Sequence, residues 1–140
     1  MKSFEDLDIW KQARQLVQEI YRLTKTEKFS RDFDLRHPIQ EATVSIMSNI
    51  AEGFERGGNQ EFIQFLYIAK GSCGEVRSQL YVALDQGYIP ESQSHEMITS
   101  FRRLSGMIGN LIAYLRRSGM KGEKFGTSKV VKRQSQPELS

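Results

Sequence analysis

The stretch Ser45–Gly57, SIMSNIAEGFERG, is the most informative part of this chain. Ile46, Ile50 and Gly53 recur at the three- and four-residue steps of one helix face, which predicts the end of an amphipathic helix. Directly beside that face runs a second stripe of polar residues: Ser45, Asn49, Glu52 and Arg56. Polar residues next to a core face indicate close helix packing combined with a hydrogen-bonded network.

A matching polar stripe occurs later in the chain, where Ser72, Glu75 and Gln79 follow one another at helical steps. A buried polar stripe must be fully hydrogen-bonded, because an unpaired buried polar group is costly. We therefore expect a structural polar network that sets helix register or oligomer specificity, with a ligand site as the alternative. Its predicted members are Ser45, Asn49, Glu52, Arg56, Ser72 and Glu75.

Apolar periodicity predicts four long helices and no strand. Expected bounds are about Leu7 to Thr26, Pro38 to the glycine pair at 57–58, Gln60 to Gln86, and a last helix through Leu115. Pro38 suits a first helical turn, where its missing N–H costs nothing. The expected caps are Asn59 before the third helix, Gly87 after it, and Ser92 or Ser94 before the fourth.

The connection from Lys25 to Leu35 is polar, with Phe29 as its expected anchor. Short connections between long amphipathic helices favour an all-α fold, an antiparallel up-down-up-down four-helix bundle over residues 1–118. Helical-hairpin repeats are the alternative, but the sequence shows no self-similarity at a repeat period. Residues 119–140 are predicted to form a flexible basic tail.

Four glycines fall inside predicted helices, namely Gly71, Gly74, Gly106 and Gly109. Each costs up to about 1 kcal/mol relative to alanine in a helix interior. We interpret them as sites of close backbone approach, either within the bundle or between subunits.

The net charge of +3 is unevenly distributed. Residues 116–140 hold seven basic and two acidic residues, a net +5, and the rest of the chain is −2. The single cysteine, Cys73, excludes an internal disulfide and is typical of a reducing compartment. Without an apolar run of membrane-spanning length or a signal-like N-terminus, the expected location is the cytoplasm, with no membrane partner.

Catalytic and metal-binding patterns are missing from the sequence, so we expect no enzyme activity, no metal site and no cofactor. The two histidines, His37 and His95, lie in a loop and in a first helical turn, where surface or capping roles are typical. A di-iron bundle would need Glu-x-x-His pairs, and none occurs.

Basic pairs on the fourth helix and the tail suit contacts with phosphates. The candidate nucleic-acid-binding residues are Arg102, Arg103, Arg116, Arg117, Lys121 and Lys124. Four further apolar residues, Ile63, Tyr67, Ile68 and Tyr81, fall off the main stripe of the third helix. A helix that is apolar over more than one face predicts a second buried surface, and homo-oligomerisation is the simplest explanation.

Three ordered motifs resemble the bacterial four-helix bundle family of 23S rRNA intervening-sequence proteins, often named as ribosomal proteins. They are FEDLDIWKQA at residues 4–13, SIMSNIAEG at 45–53, and a third-helix pattern of Glu61-Phe62, Phe65-Leu66, Ala69, Gly71-Ser72 and Glu75. The resemblance covers approximately residues 4–117.

This resemblance implies a ring-like homopentamer. Some relatives are encoded within inserts of the large-subunit ribosomal RNA gene, and distant ones are accessory proteins of diversity-generating retroelements that bind a reverse transcriptase and its RNA template. The leading hypothesis is therefore a non-catalytic oligomeric scaffold that binds RNA or a ribonucleoprotein through basic surfaces. The alternative is a protein-interaction module, such as a reverse-transcriptase accessory subunit.

Overall fold

The computed structural model describes residues 3–122, with side chains through Gly119, and all regular elements in this range are helical. A short 3-10 turn, Phe4–Asp6, leads into α1, Asp8–Thr24. The remaining helices are α2, Glu27–Arg31; α3, Phe33–Glu55; α4, Asn59–Asp85; and α5, Glu91–Gly122. The all-α prediction is confirmed. Within these residues no helix combines the length and hydrophobicity needed to cross a membrane.

The buried faces of the four long helices meet in one apolar cluster. α3 packs on α4, α4 packs on α5, and α1 packs on α3 and more lightly on α5. Contacting residues run in opposite order along α4 and α5: Asn59 meets Leu115, whereas Lys70 lies beside Gly109. The apolar stripes read from the sequence are the ones that form this core.

α3 begins five residues before the predicted start at Pro38. Asp32 is the N-cap, and its Oδ1 accepts a hydrogen bond from the Leu35 N–H at 3.2 Å. Capping and the burial of Leu35 favour the earlier start. Pro38 lies inside the helix, where it removes the one backbone hydrogen bond that its N–H would donate to Asp34.

The predicted polar connection contains the short helix α2, and Phe29 is its anchor, as expected. Phe29 is fully buried, with its ring centroid 5.2 Å from that of Tyr88. The Tyr88 hydroxyl in turn donates to Asp32 Oδ2 at 2.8 Å. This contact joins the α4–α5 connection to the start of α3, so that the Asp32 carboxylate serves both as a helix cap and as a tertiary contact.

Two helix starts differ from prediction. Gly58, not Asn59, is the N-cap of α4, because the Asn59 side chain is buried and donates to the Leu115 carbonyl of α5 at 2.6 Å. α5 begins at Glu91, so that neither Ser92 nor Ser94 precedes it; the Ser94 hydroxyl donates back to the Pro90 carbonyl. In both cases the side chain bonds to a backbone carbonyl rather than to a free helix N–H.

The predicted C-cap at Gly87 is confirmed. Its φ of +74° lies in the left-handed region, and the N–H groups of Gly87 and Tyr88 bond to the carbonyls of Leu84 and Ala83. This is the Schellman arrangement that ends helices at a glycine. α5 continues through Gly122, four residues into the predicted tail, and residues 123–140 lie outside the described part of the chain.

The four helix glycines do not mark close approach within this chain. A Cβ on Gly71, Gly74 or Gly106 would meet no atom within 4 Å, and one on Gly109 would meet only the Lys70 side chain. A close approach of two helices occurs instead at Gly53, where a Cβ would lie 2.6 Å from the Phe65 Cβ. The other four glycines do not face a backbone of another helix in this chain, so their close approach to a second subunit stays a prediction.

Candidate nucleic-acid interface

From Met97 to its end at Gly122, α5 carries basic residues and no acidic residue. Residues 97–122 include four arginines and one lysine and contain no aspartate or glutamate. Arg102, Arg103, Arg116 and Arg117 are all exposed, and none forms an ion pair with a described residue. Fourteen residues separate the first pair from the second, which is about 21 Å along a helix. α5 therefore presents two pairs of unneutralised cations on one rigid element.

The guanidinium of Arg116 is held against an aromatic ring of the neighbouring helix. Its Cζ lies 5.1 Å from the ring centroid of Tyr67 on α4, which is cation–π geometry. The other two predicted phosphate contacts, Lys121 and Lys124, cannot be placed: the Lys121 side chain and all of Lys124 lie outside the described structure.

Two cations that sequence reasoning did not single out lie on α4, the helix that packs on α5. Lys70 and Arg77 are half-buried, and both stand close enough to Cys73 to act on its thiol electrostatically. The Lys70 Cε lies 3.3 Å from the position that a Cβ on Gly109 would occupy, so Lys70 passes over α5 at this glycine. The sequence feature that could have identified Lys70 and Arg77 is their seven-residue spacing, which puts both on one side of a helix.

The predicted polar network separates into three groups. Ser45, Asn49 and Ser72 come together: the two serine hydroxyls are 3.2 Å apart, and Asn49 donates to the Ser45 carbonyl at 2.8 Å and to its hydroxyl at 2.9 Å. These three side chains join α3 to α4, as the matching stripes suggested.

The remaining members lie elsewhere. Arg56 binds Glu52 at 2.9 Å and Glu61 at 3.2 Å in an exposed cluster at the α3–α4 connection, and this pairing raises the pKa of Arg56 further. Glu75 accepts a weak 3.4 Å hydrogen bond from its own-helix neighbour Gln79. Exposed ion pairs of this kind contribute little to stability.

Histidine and carboxylate groups do not converge in the described part of the chain. His37 and His95 each lie within 4 Å of a glutamate one helical turn away, Glu41 and Glu91, in exposed pairs on separate helices. Among residues 3–119 no three histidine, cysteine or acidic side chains are placed to hold a metal ion.

Comparison with known families gives one result. The family model described as 23S rRNA-intervening sequence protein matches residues 5–110, about three quarters of the chain. The chain belongs to this family. No curated protein matches the sequence.

The matched range in this member of the 23S rRNA-intervening sequence family includes most of the surfaces described above. It contains the Ser45–Asn49–Ser72 contacts, the tight Gly53 position, both α4 cations and the arginine pair at 102–103. Arg116 and Arg117 lie beyond the match. The family match therefore says nothing about the second arginine pair, which is identified from this chain alone.

Cys73 is expected to be chemically inert in this family member. Burial raises the pKa of its thiol to about 12, against the smaller opposing effect of Arg77 and Lys70. Since only the thiolate reacts, we predict that labelling by a disulfide reagent near pH 8 is at least about 100-fold slower in native than in urea-unfolded protein. Time-resolved absorbance of the released thiolate measures both rates. Rapid stoichiometric labelling of native protein would show that the site opens.

Proposed function

We propose that this chain is a non-catalytic helical scaffold that binds RNA through the phosphate backbone. The observation that carries the proposal is the acid-free range 97–122 of α5, whose four exposed arginines have no ion-pair partner among the described residues. Unneutralised cations on a rigid helix favour displacement of counterions from a polyanion. The family description, which refers to an intervening sequence of 23S rRNA, supports RNA as that polyanion.

Filter binding to a structured RNA at increasing salt tests the proposal. Arg102, Arg103, Arg116 and Arg117 are changed together to glutamine, a good helix former that removes charge. We expect affinity at low salt to fall at least about 100-fold and the salt slope to decrease by about 3 to 4. The matched control changes four exposed cations elsewhere to glutamine: Lys11, Arg22, Lys25 and Lys28.

Equal losses in the two quadruple variants would show that net charge, not the α5 surface, determines binding. Absence of RNA binding by the unmodified protein at low salt would refute the proposal. Far-UV circular dichroism of each variant verifies that the helices are retained, because an exposed Arg→Gln change should leave the fold intact.

We further infer that the four long helices form an antiparallel up-down-up-down bundle and that the protein self-associates. The reversed residue order of the α3–α4 and α4–α5 contacts supports the antiparallel arrangement. Self-association is supported by an outer stripe on α4, whose residues recur at three- and four-residue steps: Ile68, Gly71, Glu75, Ser78 and Val82. Ile68 is 52% exposed and Val82 45%, which is unusual for large apolar side chains on a helix that already packs on two others.

Light scattering coupled to size exclusion tests self-association through this outer α4 stripe. We expect the unmodified protein to have the mass of a multimer, a pentamer by the family resemblance, and Ile68→Glu with Val82→Glu to be monomeric, because buried unpaired carboxylates are costly. Phe33→Glu is the control, since Phe33 is 56% exposed on α3, away from the stripe. A monomeric unmodified protein, or a multimer that both variants retain, would contradict the inference.

A second candidate function is a protein-interaction module, such as an accessory subunit of a reverse transcriptase. The same outer α4 stripe favours it, because an apolar helix face suits a polypeptide better than a polyanion. Co-purification with a partner that survives nuclease treatment and is lost in the Ile68→Glu, Val82→Glu variant would support this function over RNA binding.

A further inference from the structure

One side of α4 alternates aromatic and cationic residues. Tyr67, Lys70, Gly74, Arg77 and Tyr81 follow one another at steps of three and four residues, so they share one side of the helix. The two tyrosines are 44% and 46% exposed, and the two cations are half-buried. This side is adjacent to the outer α4 stripe but distinct from it in register.

Two contacts show that this side of α4 faces α5. Arg116 lies over the Tyr67 ring at 5.1 Å, and the end of the Lys70 side chain lies beside Gly109. The surface along which these two helices meet is called here the α4–α5 groove. Gly109 has no side chain, and this leaves room for the Lys70 side chain to lie against α5.

The reversed order of the two helices determines in which direction the row of cations continues along each of them. Arg77 lies seven residues after Lys70, and Arg102 lies seven residues before Gly109. Each step is about 10 Å along its helix, so Arg77 and Arg102 both lie on the same side of the Lys70–Gly109 contact, farther from Arg116. Cations therefore occur along much of the length of the groove, from Arg116 past Lys70 to Arg77 and Arg102.

These four cations have no carboxylate partner within the described structure. None of them forms an ion pair with any residue of the described range, whereas Arg31 and Arg56 each find a carboxylate. Half-buried cations without a partner carboxylate favour an anionic ligand along the groove.

We propose that the α4–α5 groove binds single-stranded RNA, with Lys70, Arg77, Arg102 and Arg116 on phosphates and the two tyrosines against bases. This inference rests on the proposed function and names its substrate class. Proteins that bind single strands without sequence preference combine a positively charged surface that follows the backbone with aromatic side chains on which bases stack, and this surface carries both. Unpaired bases can stack on exposed tyrosine rings, whereas a duplex keeps its bases stacked internally.

Fluorescence anisotropy with a labelled oligouridylate, and with an RNA hairpin of equal length, tests the groove. The cation variant is Lys70→Gln with Arg77→Gln; its matched control, Lys11→Gln with Arg22→Gln, removes the same charge from exposed positions on α1. We expect the cation variant to lose about tenfold or more in oligouridylate affinity and to lower the salt slope by about 1.4. The control should lose less.

A third variant separates stacking from charge. Tyr67→Leu with Tyr81→Leu should lower oligouridylate affinity at least about fivefold while leaving the salt slope unchanged, because stacking releases no counterions. A merely structural role for the tyrosines would not produce that separation. Thermal unfolding of every variant identifies any loss that comes from the fold.

The outcomes distinguish this inference from the proposed function. If the unmodified protein binds RNA but the cation variant loses no more than its control, or if the hairpin binds as tightly as oligouridylate, the groove inference fails and RNA binding stands. If neither RNA binds at low salt, both fail. Displacement of oligouridylate by polyglutamate at equal charge concentration would also overturn the inference, since it would indicate an acidic polypeptide as the ligand.

Discussion

Replacing Phe29 with alanine is expected to lower the free energy of unfolding by about 3–5 kcal/mol. Phe29 is fully buried although it lies on a five-residue helix, and its ring contacts Tyr88, whose hydroxyl binds Asp32. Truncation would leave a cavity below the junction of α2, α3 and the α4–α5 connection. Since isolated short helices are unstable in water, α2 should lose its helical structure along with the contact.

Urea unfolding followed by circular dichroism, at one fixed protein concentration, measures this loss. The concentration is held constant because self-association would contribute to the apparent stability. Phe33→Ala is the matched control: Phe33 lies four residues later and is 56% exposed, so its truncation should change stability by about 0.5 kcal/mol or less. Similar losses in the two variants would show that Phe29 does not anchor the connection.

Substituting Gly53 with alanine is expected to destabilise the protein by about 1–3 kcal/mol. Alanine stabilises a helix by up to about 1 kcal/mol relative to glycine, so helix propensity alone predicts that this substitution would stabilise the protein. The added Cβ would lie 2.6 Å from the Phe65 Cβ and 3.0 Å from the Phe62 Cδ1. A Cβ cannot move without its backbone, so α3 and α4 would have to separate along this contact.

Gly106→Ala provides the contrasting substitution. A Cβ there meets no atom within 4 Å, and the residue is exposed within α5. We expect a gain of about 0.4–1 kcal/mol, because alanine restricts the unfolded chain and strains nothing in the folded one. Chemical unfolding of both variants measures the two changes in the free energy of unfolding, which should be opposite in sign. A stabilised Gly53→Ala protein would show that α3 and α4 are not in tight contact there.

The opposite expectations for Gly53 and Gly106 show where sequence reasoning reached its limit. In the sequence every helix glycine looks the same: it is a residue of low helix propensity within a helical pattern of apolar residues. Of the two roles expected for Gly71, Gly74, Gly106 and Gly109, close approach within the bundle is wrong, and close approach between subunits stays a prediction. The sequence could not decide this, because only the packing partner distinguishes an open position from a crowded one. The tight glycine was already visible within the Ser45–Gly57 motif.

Helix starts show the same limit. Pro38 and Asn59 are residues that favour first turns and caps, yet Asp32 caps α3 and the Asn59 side chain binds α5. A local preference of about 1 kcal/mol is easily outweighed by burial of Leu35 or by a buried hydrogen bond to another helix. Gly87 was predicted correctly because its positive φ is a backbone requirement that few other residues meet.

The sequence by itself determined the all-helical class, the core stripes and the family, since these depend on periodicity and ordered motifs that a single chain displays. The tertiary structure decided which polar residues meet: it joined Ser45, Asn49 and Ser72 and left Glu52, Arg56 and Glu75 in separate exposed contacts. It also brought Lys70 beside Gly109 and Tyr67 beneath Arg116. Contacts between residues about forty to fifty positions apart depend on how the helices align against each other, and helical periodicity does not specify that alignment.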